Sequence, residues 1–181
     1  MSNEVNPIKS DRDIAKMKAA LHGRNRLMFV MGVSLGLRIS DLLEIKIGDV
    51  RGKTELVVTE TKTKKPRRIK LSKTVIAEVK KLDGADDEYI FRSRQGGNKP
   101  ISRVQAYRIL NEAAERAGIA DKIGAIGTHT LRKTFGFKIY KQGIDVTRIM
   151  AILNHSTPAM TLKYIGITRD EIDAAYEAIE V

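Results

Sequence analysis

Two arginines, two histidines and a tyrosine occur in this chain in an order that suits attack on a phosphodiester. His129-Thr-Leu-Arg132 is followed by Leu153-Asn-His155 and then by Tyr164 within Thr-Leu-Lys-Tyr, while Gly36-Leu-Arg38-Ile-Ser lies far upstream. A planar guanidinium holds two non-bridging phosphate oxygens at once. An imidazole moves a proton near neutral pH, and a deprotonated phenol attacks phosphorus. His129 and Arg132 are spaced to share one face of a helix and so to meet one phosphate. Each residue alone has an ordinary explanation: Arg38 can pair with Asp41 or Glu44, His155 can cap a turn, and Tyr164 can be a core tyrosine with its hydroxyl at the rim. Their conjunction points to chemistry.

Such residues are useful only if the chain brings them together. Ser10 with Asp13 resembles a capping box opening a helix through about His22, and Arg24 to about Gly36 follows, apolar at almost every position from Leu27 to Val33. Arg38 therefore sits behind a buried helix, and Asp41 with Glu44 opens a short one before Gly48-Asp49 breaks the pattern. Glu55-Leu-Val-Val-Thr is rich in β-formers and Arg67-Arg-Ile-Lys-Leu alternates with period two, which predicts a hairpin whose tip carries Lys62, Lys64 and Lys65. Ser72 caps a helix to about Leu82, Tyr89-Ile-Phe91 reads as a third strand, and 92–100 is a Gly- and Lys-rich loop. Further helices are expected from Ser102 to Ala117 with Gly118 as stop, from Thr128 to about Gln142 with Gly143 as stop, and from Asp145 to about Leu153. Thr157 opens one more around Tyr164, and Thr168 with Glu171 caps the last. The fold class is α+β: mainly α-helical, with a small three-stranded antiparallel sheet.

Composition narrows the substrate. The chain has 181 residues, a formal net charge of +11 and no cysteine, which removes disulfides, thiolate catalysis and Cys-ligated zinc. A basic domain of this size suits a polyanion, most often nucleic acid. The charge is polarised: the segment 51–80 carries +7 and the tail 165–181 carries −4. With aromatics at only 5%, base stacking on single strands is disfavoured and duplex phosphate is the better target. The N-terminus is polar and acidic, unlike a signal peptide, and Leu27 to Leu37 is too short to span a bilayer, so a cytoplasmic, nucleoid-associated protein with no membrane partner is expected.

The motifs together resemble the catalytic domain of the tyrosine recombinase (phage integrase) family, in family order from about residue 8 to the end. The resemblance implies that Arg38 is the first catalytic arginine, with Asp41 as its usual acidic neighbour. It makes His129 and Arg132 the histidine–arginine pair, His155 the second histidine and Tyr164 the nucleophile. Aligning Lys-x-x-Lys-x-Arg of the hairpin makes Lys62 the β-turn lysine, a register two or three residues on giving Lys64 or Lys65 instead. Lys64, Lys65, Arg67 and Arg68 would contact DNA. The implied activity is site-specific cleavage and rejoining of DNA through a 3′-phosphotyrosyl link, with no metal or nucleotide cofactor. The implied partners are double-stranded DNA, further copies of the chain (a tetramer on DNA) and accessory DNA-bending proteins. Residues 1–181 read as a single catalytic domain without the N-terminal DNA clamp common in the family, and the acidic tail docks either in cis or on a neighbour. The rival reading is a DNA-binding regulator that keeps the fold without cutting.

Overall fold

Apolar side chains on every side leave helix α2 (Gly23–Leu35) no face for water, and Leu27, Met28, Phe29, Val30, Met31 and Leu35 are all buried in the main core. The coordinates are a computed structural model describing residues 5–62, 64, 66–127, 129–168, 171, 173 and 177. Helix α1 (Asp11–Ala20) precedes α2, opened by the Ser10 hydroxyl accepting from the Asp13 amide at 3.4 Å. Helix α2 stops at Gly36, whose φ of 60° is left-handed and open to glycine without strain. Helix α3 (Ile39–Leu43) begins two residues before the expected Asp41, because extended Arg38 serves as its cap and lends its carbonyl to the Leu42 amide at 2.9 Å. The expected break at Gly48-Asp49 is instead a helical turn, α4 (Ile47–Val50), closed by the Asp49 carboxylate on the Lys46 amide at 2.8 Å.

Strands β1 (Glu55–Thr59) and β2 (Pro66–Lys70) pair antiparallel, with Leu56 opposite Ile69 and Val58 opposite Arg67. Their pleat sends Leu56, Val58, Ile69 and Arg67 inward and Val57, Arg68 and Lys70 outward. Among the described residues the sheet has two strands, not three. Tyr89 makes only an isolated bridge to Lys46, since the chain turns helical at Ile47. The next bridge joins Arg92 to Pro100, and proline has no amide hydrogen with which to extend a ladder. The remaining helices are α5 (Lys73–Val79), α6 (Arg103–Arg116), α7 (Ala120–Ile123), α8 (Thr130–Lys141), α9 (Val146–Leu153) and α10 (Pro158–Tyr164). Ser72, Ser102, Asp145 and Thr157 cap α5, α6, α9 and α10 as expected, whereas α7 was not foreseen. Thr128, the expected cap of α8, lies outside the described residues, and His129 occupies the capping position.

The helices divide between two apolar clusters. The main core gathers α1 to α7, and a smaller one of Phe137, Ile149, Leu153 and Ile165 holds α9 and α10 against the far end of α8. Helix α8 therefore belongs to both, and Leu131 on it abuts α2 where Gly32 leaves no room for a Cβ. After α10, the Thr168 amide donates to Glu171 at 3.0 Å and the Glu171 amide to the Thr168 hydroxyl at 3.3 Å, the expected capping box. Ile172, Ala175, Tyr176 and Ile179, the apolar positions of the tail, lie outside the described residues. Among the described residues no helix is long and apolar enough to cross a membrane.

Gly36 joins these themes, because a Cβ there would run into the Phe135 ring and would also demand a strained left-handed alanine. Gly36→Ala is expected to lower the unfolding free energy by about 1–3 kcal/mol. Urea denaturation checks this, and an unchanged midpoint would show that α8 can yield.

Candidate active site

Arg132 is the best-buried member of the site, at 2% exposure. It leaves α8 between the two clusters and donates from Nη1 to the Gly36 carbonyl at 2.6 Å and from Nη2 to the Leu153 carbonyl at 2.8 Å. Both carbonyls lie at helix C-termini, where intrahelical donors run out and the dipole is negative. A guanidinium suits that place better than any neutral side chain, although burial lowers its pKa from the ordinary arginine value.

Glu60 completes the cationic centre, and sequence reasoning missed it. It is 4% exposed and accepts from Arg38 at 2.9 Å on Oε2 and from Arg67 at 3.2 Å on Oε1, with Arg132 Nη1 3.7 Å from Oε1. Burial pushes its pKa up, but the Arg38 and Arg67 hydrogen bonds and the Arg132 charge outweigh that and hold it below 4.5. Asp41 is also buried, accepts from the Thr61 amide at 3.0 Å and lies 3.9 Å from Arg38. Two carboxylates thus tie Arg38 to the base of the hairpin.

Arg67, expected to contact DNA, lies on the inner face of the hairpin. The pleat turns it inward, where it donates to Glu60 and, at 3.3 Å, to the Leu35 carbonyl. Arg68 points outward and pairs with Glu55 at 2.7 Å. Lys62 and Lys64 are exposed at the hairpin tip, Lys64 with φ 56° and its amide on the Glu60 carbonyl, while Lys65 lies outside the described residues.

The proton-handling groups converge from the α8–α10 end. His129 Nδ1 is 3.1 Å from the Tyr164 hydroxyl. The His155 ring meets the Tyr164 ring edge-on, with centroids 4.7 Å apart. His155 is aimed by left-handed Asn154 at the end of α9, whose geometry puts the His155 amide on the Met150 carbonyl at 2.9 Å. Its Nδ1 lies 3.0 Å from the Thr161 hydroxyl. Lys133, also unforeseen, is 5% exposed and stands 5.2 Å from the centre of the Tyr164 ring. Burial, then Arg132 and Arg38, push both histidines below 6.5. For His129 the charges of Lys133 and Lys62 add to this, which ties the hairpin tip to the same pocket. Burial raises Tyr164 above 10.0 against the pull of Arg132 and Arg38. The resting pair is therefore a neutral phenol facing a neutral imidazole. Arg38, Arg132, His129, His155 and Tyr164 thus form one cluster, and among the described residues no group of His, Asp or Glu is arranged to hold a metal ion.

A helical domain that converges two arginines and a histidine on a tyrosine is the fold and site of a phosphodiester strand transferase. The profile of the Phage integrase family matches residues 9–171. The chain is 43% identical over 178 residues to "Probable integrase/recombinase YoeC" of Bacillus subtilis (strain 168), covering 96% of each. It is 30% identical to tyrosine recombinase XerA of Pyrococcus furiosus over 85% of this chain, but spans only 54% of that protein. It superposes with a TM-score of 0.74 and 17% identity on the XerH site-specific recombinase bound to palindromic difH substrate, covering 98% of this chain and 54% of the other. The chain belongs to the phage integrase family and carries the catalytic-domain fold of the tyrosine recombinases.

Removing the Glu60 carboxylate would leave Arg38, Arg67 and Arg132 without their shared anion. Glu60→Ala is expected to lose on the order of 3 kcal/mol in urea denaturation. Added inorganic phosphate should raise the variant's midpoint more than the wild type's, and an equal response in both would mean these arginines do not bind phosphate.

Proposed function

We propose that this chain is a site-specific DNA recombinase that cleaves and rejoins strands through a 3′-phosphotyrosyl intermediate. The observation that carries the reading is the Tyr164 hydroxyl 3.1 Å from His129 Nδ1, beside the buried arginine centre. Arg38 and Arg132 take the non-bridging oxygens of the scissile phosphate, Arg132 already fixed and Arg38 exchanging part of its hold on Glu60 for the ligand. His129 accepts the phenolic proton as Tyr164 forms the new bond to phosphorus. The bond to the 5′-oxygen breaks, and Lys62 at the hairpin tip supplies that oxygen's proton. A 5′-hydroxyl of another strand then attacks phosphorus and passes its proton to Lys62, while the bond to Tyr164 breaks and His129 returns the phenolic proton to the freed tyrosine.

His155 donates to the phosphate through Nε2. A neutral His155 has that hydrogen only if Nδ1 accepts from Thr161, whose hydroxyl otherwise donates to the Thr157 carbonyl at 3.1 Å. Thr161 thus selects the tautomer. The duplex lies across the basic hairpin, with Lys62, Lys64, Lys65 and Arg68 near its backbone, and copies of the chain assemble on DNA as a tetramer, with accessory bending proteins where the site requires them. Residues 1–181 act as one catalytic domain. The similar XerH was solved on its own DNA substrate, which supports duplex DNA as the ligand class.

Covalent trapping on a nicked duplex carrying the cognate site tests the reading. The wild type should leave a protein–DNA adduct and Tyr164→Phe none, whereas a wild type that binds the site without forming an adduct would instead be a regulator. Arg38→Ala, and Arg132→Lys, which keeps the charge but not the fork, should lower cleavage on the order of 10²–10³-fold while duplex binding persists. If binding fell in step with cleavage, both arginines would be ordinary phosphate contacts.

The pH profile is a separate check. A depressed His129 pKa keeps the acceptor neutral to lower pH, so single-turnover cleavage should hold as pH falls through 6.5 and drop only below it. Because Tyr164 lies above 10.0, no rise from free phenolate should occur on the alkaline side below that value. An acid limb centred at or above 6.5 would remove His129 as the acceptor.

A further inference from the structure

The far end of α2 carries cations that the site above does not use. Between the first turns of α2 and α6 lies an open cleft of about 710 Å³, lined by Arg24, Arg94 and Lys99 with Ser93, Ser102 and Gln105, and by no carboxylate. Several other arginines of the fold have anionic partners, among them Arg26 with Glu78 at 3.6 Å, Arg51 with Asp86 at 2.6 Å and Arg92 with Glu88 at 2.5 Å. Arg24 is half-buried, yet among the described residues no group accepts from its guanidinium. The cations nearest it are Arg94 and Arg92, the latter paired with Glu88, and burial followed by their repulsion lowers its pKa. Holding like charges together in a half-buried cleft costs stability unless an anion joins them.

The loop that carries Arg94 and Lys99 is anchored on both flanks. The Ser93 amide donates to the Lys99 carbonyl at 2.7 Å, and Asn98 accepts from the Tyr89 amide at 3.1 Å while donating to the Asp87 carbonyl at 2.8 Å. Gly96 and Gly97, with φ of 94° and 67°, make the tight return between them. The two cations are thus presented at the cleft by a braced turn.

We propose that this cleft is a second phosphate-binding site, in which Arg24, Arg94 and Lys99 hold a backbone phosphodiester of duplex DNA flanking the scissile position. The inference rests on the DNA-acting reading given above. Spacing favours a duplex over a free anion. Arg24 and Arg38 stand at opposite ends of α2, which at 1.5 Å per residue is about 20 Å long. That length corresponds to about six base steps at 3.4 Å each, a reach only a polymer with regularly spaced phosphates covers. The site would fix how the flank lies while Arg38 and Arg132 hold the reacting phosphate.

Duplex binding followed by fluorescence anisotropy across a salt series tests this. The Arg24→Ala/Arg94→Ala variant should bind several-fold more weakly on unrelated sequences, with the slope of log K against log salt shallower by about 1. Arg24→Lys should recover most of the loss, and Lys80→Ala, an exposed cation outside the cleft, should leave the slope unchanged. At saturating protein the double variant should form the covalent adduct at the wild-type rate, with only the half-saturating concentration raised. Wild-type binding and slope in the double variant would overturn the second site alone, whereas a wild type that binds no duplex would overturn the DNA reading beneath it. Saturable binding of inorganic phosphate at the Gly96 and Gly97 amides by NMR, with duplex binding intact in the double variant, would reassign the cleft to a small anion.

Discussion

The fold depends on one buried guanidinium. Arg132 bridges the end of α2 in the main core and the end of α9 in the smaller cluster, using carbonyls that no helix amide can satisfy. It adds to the joins that α8 and the N-terminal segment already make between the clusters, the Ile8 amide on the Thr134 hydroxyl and Lys9 on Glu171 among them, and it fixes the α8–α10 end relative to Arg38. The same contacts that join the clusters leave the guanidinium facing Glu60, so the residue that assembles the fold also sets the charge of the pocket. A lysine could supply the charge but not two divergent, planar donors, which is why a guanidinium is required there.

The hairpin answers to the same centre through pleat parity. Leu56 and Val58 face inward, and continuing their alternation by one step places Glu60 on the inner side as well. On the partner strand Ile69 and Arg67 share that face. Glu60 and Arg67 therefore meet beneath the sheet, and the tip bearing Lys62 starts from a point already tied to Arg38 and Arg132. Movement of that tip and occupancy of the arginines are mechanically linked.

Much of this was legible in the sequence and some of it was not. The caps Ser10, Ser72, Ser102, Asp145 and Thr157 are read from side chains that bond their own next turn, so they need no tertiary information. The gathering of Arg38, His129, Arg132, His155 and Tyr164 was legible from motif order. The inward position of Arg67 is legible too, because the period-two pattern of β2 puts it on the face of Ile69, a direction that composition alone does not show. Glu60 was overlooked because one acid in a basic segment reads as noise until its inward direction is known. Lys133 and the third strand were beyond local reading. The first depends on Tyr164 returning over α8, and the second on α4 starting where a ladder would have continued.

The charge of the pocket also bears on the proposed chemistry. Among the described residues Arg38, Arg67 and Arg132 meet two buried carboxylates, Glu60 and Asp41, three positive charges against two. Burial and then the positive charge of Arg132 and Arg38 depress both histidines, and burial keeps the phenol protonated, so the site holds a neutral acceptor and a neutral nucleophile. A bound phosphodiester brings one negative charge, and transfer of the phenolic proton to His129 leaves a second on the pentacoordinate phosphorus. The arginines therefore face more negative charge at phosphorus in the transition state than in the bound ground state, the proton lost by Tyr164 resting on His129. Stabilisation of that kind acts mainly on the step that breaks the strand. Glu60 thus holds the three arginines together while leaving them positive toward phosphorus, since without it they would repel one another.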